Sequence, residues 1–215
     1  MALSTEEGAT RSCATDNGQR TTDNERLTGM RIALAQINTT VGDFAGNVDR
    51  ILRFARRAVE RQADLVVFHE LALCGYPPRD LVEKPEFIRR TEAELERLAG
   101  LLPDIPTLVG YVRRSDAKQG KAVADAAALL HGKRMALDYA KILLAFYDVF
   151  DESRYFEPGN APAVYKFGAL NVGVTICEDI WNDKYFWERQ LYARSGGRIR
   201  GGRRPNLAEH RLLSL

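Results

Sequence analysis

The apolar runs of this chain come in one succession: strand, helix, strand, helix, strand, and then two hairpins. Arg31 to Asn38 is a short apolar run that alternates at its end and stops at the turn-prone Val41-Gly42-Asp43, which predicts a first strand. Between Asn47 and Gln62, the residues Val48, Ile51, Leu52, Ala55 and Val59 recur at helical spacing with arginines on the other face, so a helix follows. Leu65-Val-Val-Phe68 predicts a buried strand, Phe87 to Leu102 a charged amphipathic helix, and Thr107 to Val112 another strand. Ala122 to Leu130 and Arg134 to Tyr139 flank His131-Gly132 as a hairpin, and Val164 to Phe167 with Leu170 to Cys177 form a second. Alternation followed by hairpins predicts a mixed sheet in an α/β sandwich.

Three of these strands end on a reactive residue. Glu70 lies just past Leu65 to Phe68, Lys141 just past Met135 to Tyr139, and Cys177 at the end of Val172 to Ile176. Residues at such ends can converge on one cleft while the sheet holds their backbones rigid. A carboxylate can take a thiol proton and return it to a leaving amine, a thiolate can attack an amide carbon, and an ammonium can stabilise the oxyanion. Taken singly, Cys177 reads as a small buried hydrophobe and Glu70 as a loop acid. The joint pattern is what points to an amide hydrolase. His69 adjoins Glu70, but neighbours on an extended segment face opposite ways, which favours Glu70 as the group in the cleft.

The rest of the chain bounds the function. No apolar run approaches the length needed to span a bilayer, and residues 1–29 are polar and without apolar periodicity, which reads as a disordered leader with neither signal nor transit character. A cytoplasmic address and no membrane partner are expected. Cys13, Cys74 and Cys177 are far apart and odd in number, so reduced thiols are expected. His69, His131 and His210 sit in separate segments with no partner at ligand spacing, so no metal is expected. The net charge of +2 is concentrated at the end: residues 194–215 hold six arginines against Glu209, leaving −3 for residues 1–193 and no basic groove for nucleic acid.

The flanking residues carry a family resemblance. Met30 to Phe44, Phe68-His-Glu-Leu-Ala-Leu-Cys-Gly-Tyr-Pro-Pro-Arg-Asp-Leu81, Lys141 to Phe156 with Pro158-Gly159, and Ile176-Cys-Glu-Asp-Ile-Trp181 resemble the motifs of the nitrilase, or carbon-nitrogen hydrolase, superfamily. The Cys-Glu-Asp-x-Trp form and Val149-Phe-Asp-Glu-Ser-Arg-Tyr155 are most similar to the glutaminase domain of glutamine-dependent NAD synthetases. The resemblance covers residues 30–192 and implies a four-layer α-β-β-α sandwich, incomplete at its C-terminal end. It implies hydrolysis of the glutamine side-chain amide through a Cys thioester, with the ammonia passed to a synthetase domain in cis that amidates deamido-NAD. Carried onto this sequence, Cys177 is the nucleophile, Glu70 the general base and acid, and Lys141 the oxyanion stabiliser. The backbone N–H of Glu178 adds a second oxyanion donor, Glu152 orients the lysine, and Tyr147 contacts glutamine. Singly, Glu152 also reads as a surface acid and Tyr147 as a packed aromatic. The hydrolytic half-reaction asks for no cofactor; ATP and magnesium go with the synthetase domain, which is expected to be missing from this sequence, and the full-length family implies a homo-oligomer.

The pattern departs from the family in places. Ala145-Phe146 stands where relatives usually carry Pro-Asn or a similar pair, so Phe146 is expected to narrow the glutamine pocket, while Cys74 replaces the usual Thr or Ser. Residues 193–215 form an Arg/Gly-rich tail without periodicity, best accounted for by a frameshift or a truncated gene model. It lacks the aromatic interleaving of a single-strand nucleic-acid binder. Two rival readings stay open: a free-standing nitrilase-type amidase or carbamoylase, and a non-catalytic remnant.

Overall fold

The structure, a computed structural model, describes residues 30–181, Tyr192 and residues 210–215, with 210–214 described in the backbone alone. The expected leader 1–29 and residues 193–209 of the expected tail lie outside the described residues. No helix among the described residues is long and apolar enough to cross a membrane.

Five strands lie side by side in chain order: β1 (Ile32–Ala35), β2 (Leu65–Phe68), β3 (Thr107–Arg114), β4 (Val123–His131) and β5 (Arg134–Ala140). β1, β2 and β3 pair in parallel and β3, β4 and β5 antiparallel, the mixed sheet that alternation followed by a hairpin predicts. The parallel steps are bridged by α1 (Phe44–Glu60) and α2 (Pro85–Leu101). α1 starts where the Asp43 carboxylate accepts from the Gly46 N–H, an N-cap, and it buries Phe44, Val48, Ile51, Leu52 and Ala55 along one face. A second sheet holds β6 (Ala163–Phe167), β7 (Leu170–Thr175) and β8 (His210–Ser214), with β6–β7 antiparallel and β7–β8 parallel.

Side-chain alternation along the strands separates two cores. Val66 and Phe68 of β2 and Ala126, Ala128 and Leu130 of β4 pack with both helices, whereas Leu65, Val67, Ala127 and Leu129 pack with Val172 and Val174 of the second sheet and Ile176 just past it. Three layers of the expected four-layer sandwich, helices, sheet and sheet, are thus among the described residues.

Three local differences from the sequence reading have physical causes. The first hairpin turns at Gly132-Lys133 instead of His131-Gly132: both residues have φ of +59°, the left-handed pair of a type I′ turn, and His131 pairs with Arg134. β7 ends at Thr175, before the expected Cys177, because Cys177–Ile180 coils into a 3₁₀ turn. The last residues of the stretch read as an aberrant tail, His210–Ser214, form β8 against β7; five residues without clean alternation carry no period, and the open edge of β7 supplies their pairing.

Candidate active site

Each of the three expected residues sits just beyond a strand, on a turn fastened from several sides. Past β2 the chain coils tightly, Leu71 taking a φ of +51°, and the Leu73 N–H donates to the Gly110 carbonyl at 3.0 Å. Gly110 is required here: a Cβ on it would run into the Leu71 nitrogen and the Glu70 backbone. From the other side the fully buried Asn47 of α1 donates to the carbonyls of Leu73 and Thr40 at 3.2 and 2.8 Å. Glu70 is therefore held by main-chain contact with β3 and by α1.

Lys141 follows β5. Its N–H donates to the Asp125 carbonyl at 2.9 Å and its own carbonyl accepts from Gly159 at 2.7 Å, where a Cβ would strike the Ala140 carbonyl. Cys177 follows Ile176 with a φ of +41°, an uncommon conformation for a residue with a side chain and one that persists only where the surroundings fix it. The Cys177 N–H donates to the Leu215 carbonyl at 3.1 Å, so β8 helps to hold this turn.

A buried residue that the sequence reading did not single out, Asp179, joins the last two segments. Its carboxylate accepts from the Tyr139 hydroxyl at 2.6 Å and from the N–H groups of Leu143, Ile176 and Ile142 at 2.8, 2.9 and 3.0 Å. Burial pushes its carboxyl up, against the four donors that favour the anion.

The Lys141 ammonium lies at the centre of an acidic cluster. It is fully buried and donates to Glu70 Oε1 at 2.5 Å and to Glu152 Oε2 at 2.7 Å, with Asp125 Oδ2 at 4.0 Å. Glu152, on the short helix α3 (Glu152–Tyr155), also accepts from the Ala145 N–H at 3.0 Å and the Tyr76 hydroxyl at 3.2 Å. One oxygen from each of Glu70, Asp125 and Glu152 lies within 4.8 Å of the others, the spacing of a cation site, and the cation at its centre is Lys141 itself. Burial disfavours the ammonium, but the carboxylates of Asp125, Glu70 and Glu152 outweigh it and hold Lys141 above its ordinary range. Burial likewise raises Glu152, against the pull of Lys141.

The Cys177 thiol is half-buried and feels the charges of Glu70, Lys141, Glu152 and Glu178; burial first, then Glu70, pushes it up to about 11. Cys74 is fully buried, and its thiol is pushed well above its ordinary value, chiefly by desolvation. Beside Cys177, the buried Glu178 carboxylate accepts from the Tyr147 hydroxyl at 2.8 Å and the Tyr192 hydroxyl at 3.0 Å. The hydrogen bond to Glu178, then burial, pushes Tyr147 up to about 12.

Glu70, Lys141 and Glu152 are thus in direct contact, Cys177 lies within their field, and Tyr147 and Glu178 pair next to it. Phe146 stands edge-on to Tyr147, the expected glutamine contact, with ring centroids 6.3 Å apart. It lines a groove of about 830 Å³ flanking residues 140–144, which none of Glu70, Lys141 and Cys177 borders, and its ring stands edge-on to Tyr192 at 5.5 Å. His69 faces the carbonyls of Ile37 and Glu70, each at 3.0 Å. Since β2 has already ended at Phe68, the turn and not strand alternation separates it from Glu70. Asp125 was also missed, although a lone acid in Val123-Ala-Asp-Ala-Ala-Ala128 is a legible signal.

Two packed sheets that gather a carboxylate, an ammonium and a thiol on strand-end turns define the class of nitrilase-type amide hydrolases. The chain belongs to the carbon-nitrogen hydrolase family, which it matches over residues 31–188. It is 42% identical over 165 residues to a glutamine-dependent NAD(+) synthetase of Synechocystis, covering 75% of this chain and 30% of that protein. It is 42% identical over 155 residues to the Thermotoga maritima protein of the same name, covering 71% and 26%. The chain therefore spans less than a third of the length of these curated relatives. Among solved structures, the glutamine-dependent NAD+ synthetase of Acinetobacter baumannii aligns with a TM-score of 0.64 at 31% identity over 70% of this chain and 28% of that one. An amidase from Nesterenkonia sp. aligns with a TM-score of 0.57 at 27% identity, over 70% and 56%.

Proposed function

We propose that this chain hydrolyses the side-chain amide of glutamine through a Cys177 thioester and delivers the ammonia to a synthetase domain in cis. That domain would use it for the ATP- and magnesium-dependent amidation of deamido-NAD. The observation that carries the reading is the buried Glu70–Lys141–Glu152 chain of contacts beside a thiol on a left-handed turn.

The chemistry runs as two acyl transfers. Because burial keeps the Cys177 thiol protonated near neutrality, a base must take its proton at the moment of attack, and Glu70 is the carboxylate for it. The sulfur bonds to the amide carbon as the C=O electron pair moves onto oxygen, where the Lys141 ammonium and the Glu178 N–H stabilise it. Glu70 returns its proton to the departing nitrogen, the C–N bond breaks, and ammonia leaves a thioester behind. Water then gives a proton to Glu70 and attacks the thioester, and release of glutamate returns that proton to sulfur. Glu152 holds the lysine in place throughout. Tyr147 and Glu178 offer a hydroxyl and a carboxylate next to the nucleophile, suited to the α-amino end of an amino-acid substrate.

The test is release of ammonia and glutamate from glutamine by the purified chain, with Cys177→Ala as control. Release that disappears in the variant supports the reading. No release by a folded wild-type chain, or release unchanged in the variant, overturns it. Hydrolysis of simple aliphatic amides in preference to glutamine would favour the amidase reading, which the likeness to the Nesterenkonia amidase motivates.

A further inference from the structure

Asp125 on β4 is as deeply buried as any residue of the chain, yet neither of its carboxylate oxygens has a hydrogen-bond partner. Its backbone carbonyl accepts the Lys141 N–H, so the position is fixed, and its side chain points into the cluster formed by Glu70, Glu152 and Lys141. An ionised carboxylate stripped of water and of donors is costly, and it is more so beside two others. The groups facing Asp125 are Glu70 and Cys74 from the turn after β2, Tyr139 and Lys141 from the end of β5, and Glu152 from α3. Lys141 is the one cation among them. With all three acids ionised, the buried cluster would hold two uncompensated negative charges. Carboxylates sharing a site relieve this by keeping a proton, and Asp125 is the member with no other means of satisfying its oxygens.

We propose that Asp125 is a positioning residue that stays protonated and turns its O–H toward Glu70, keeping Glu70 ionised as the base and leaving Lys141 to only two counter-charges. A neutral acid at this point would satisfy the orphaned oxygen by donating, and would favour the charged form of Glu70. An ionised Asp125 would do the opposite: it would draw the ammonium away from the oxyanion position and repel charge from Glu70. Burial and the neighbouring Glu70 carboxylate both hold the Asp125 carboxyl well above its usual range, in agreement with this assignment. The inference rests on the glutaminase reading for its purpose, but its tests require no turnover.

Two measurements on the purified chain decide it, with Asp125→Asn as the variant because an amide is isosteric with the neutral acid. The infrared C=O stretch of a neutral carboxyl is expected in the wild-type protein at neutral pH and is expected to be lost in Asp125→Asn. No such band in the wild type, or one that survives the substitution unchanged, overturns the proposal. The second readout is the denaturation midpoint against pH. A carboxyl raised by folding contributes its stability below the unfolded value of about 3.9 and loses it as pH rises toward the folded value. Asp125→Asn should therefore match the wild type near pH 3 and gain on it progressively above about pH 4. A wild type that gains on the variant as pH rises overturns the proposal by showing that the charge is needed. A chain with the band but no glutamine hydrolysis fails the functional reading alone; hydrolysis without the band fails this inference alone.

Discussion

The Tyr139 hydroxyl meets the Asp179 carboxylate at 2.6 Å, fastening the strand that leads to Lys141 to the turn that carries Cys177. Three further N–H donors, from Ile142, Leu143 and Ile176, meet the same carboxylate, so both segments are tied to one side chain.

Replacing Asp179 by Ala removes all four bonds and leaves buried N–H groups unpaired. Expected is a loss of about 3 kcal/mol, with a lower urea midpoint and an unchanged denaturant slope. A midpoint within error of the wild type would mean that the two segments are held together by other contacts.

Alkylation reports the state of the thiol. Because burial and Glu70 raise Cys177 to about 11, its thiolate fraction near neutrality is smaller than that of an ordinary cysteine. The rate of reaction with iodoacetamide should climb about tenfold per pH unit through pH 9 and level only near pH 11, with Cys177→Ser supplying the background from other thiols. A plateau already reached at pH 7 would mean a resting thiolate.

Glu152→Gln keeps the shape of the side chain and removes its charge from the Lys141 ammonium. Turnover of glutamine should fall about 100-fold, as expected when an oxyanion donor loses its placement, with KM changed far less than kcat. A change confined to KM would move Glu152 from orienting the lysine to binding the substrate.

Gly110→Ala places a methyl group against the Leu71 nitrogen and the Glu70 backbone. The predicted cost is about 1–3 kcal/mol of stability, together with loss of hydrolysis, because the turn can yield only by moving Glu70. Wild-type activity in this variant would show that the turn has slack.

How much of this was legible in the sequence depended on distance along the chain. Val48, Ile51, Leu52 and Ala55 repeat at a local period, and Leu65 to Phe68 is apolar on both faces, so α1 and β2 could be read directly. Glu70, Lys141 and Cys177 could be read because each terminates such a run. Asp179 and Asp125 could not be placed the same way, since what matters about them is a partner 40 residues away for one and the lack of a hydrogen-bond donor for the other. The packing of Phe146 was equally hidden, because neighbours in a loop follow no period and its edge-on contacts with Tyr147 and Tyr192 come from the fold. Strand alternation set His69 apart from Glu70 for a reason that does not apply, since the strand stops one residue earlier.

Gly110 and Gly159 bring main chain against main chain beneath Glu70 and Lys141. The separation of Glu70 from Lys141 is therefore written in peptide groups that every sequence shares, and not in the shapes of the surrounding Leu, Val and Ala side chains. The cores above and below could drift through many apolar compositions while the reacting atoms keep their places. The same arrangement makes those two glycines the positions at which drift stops.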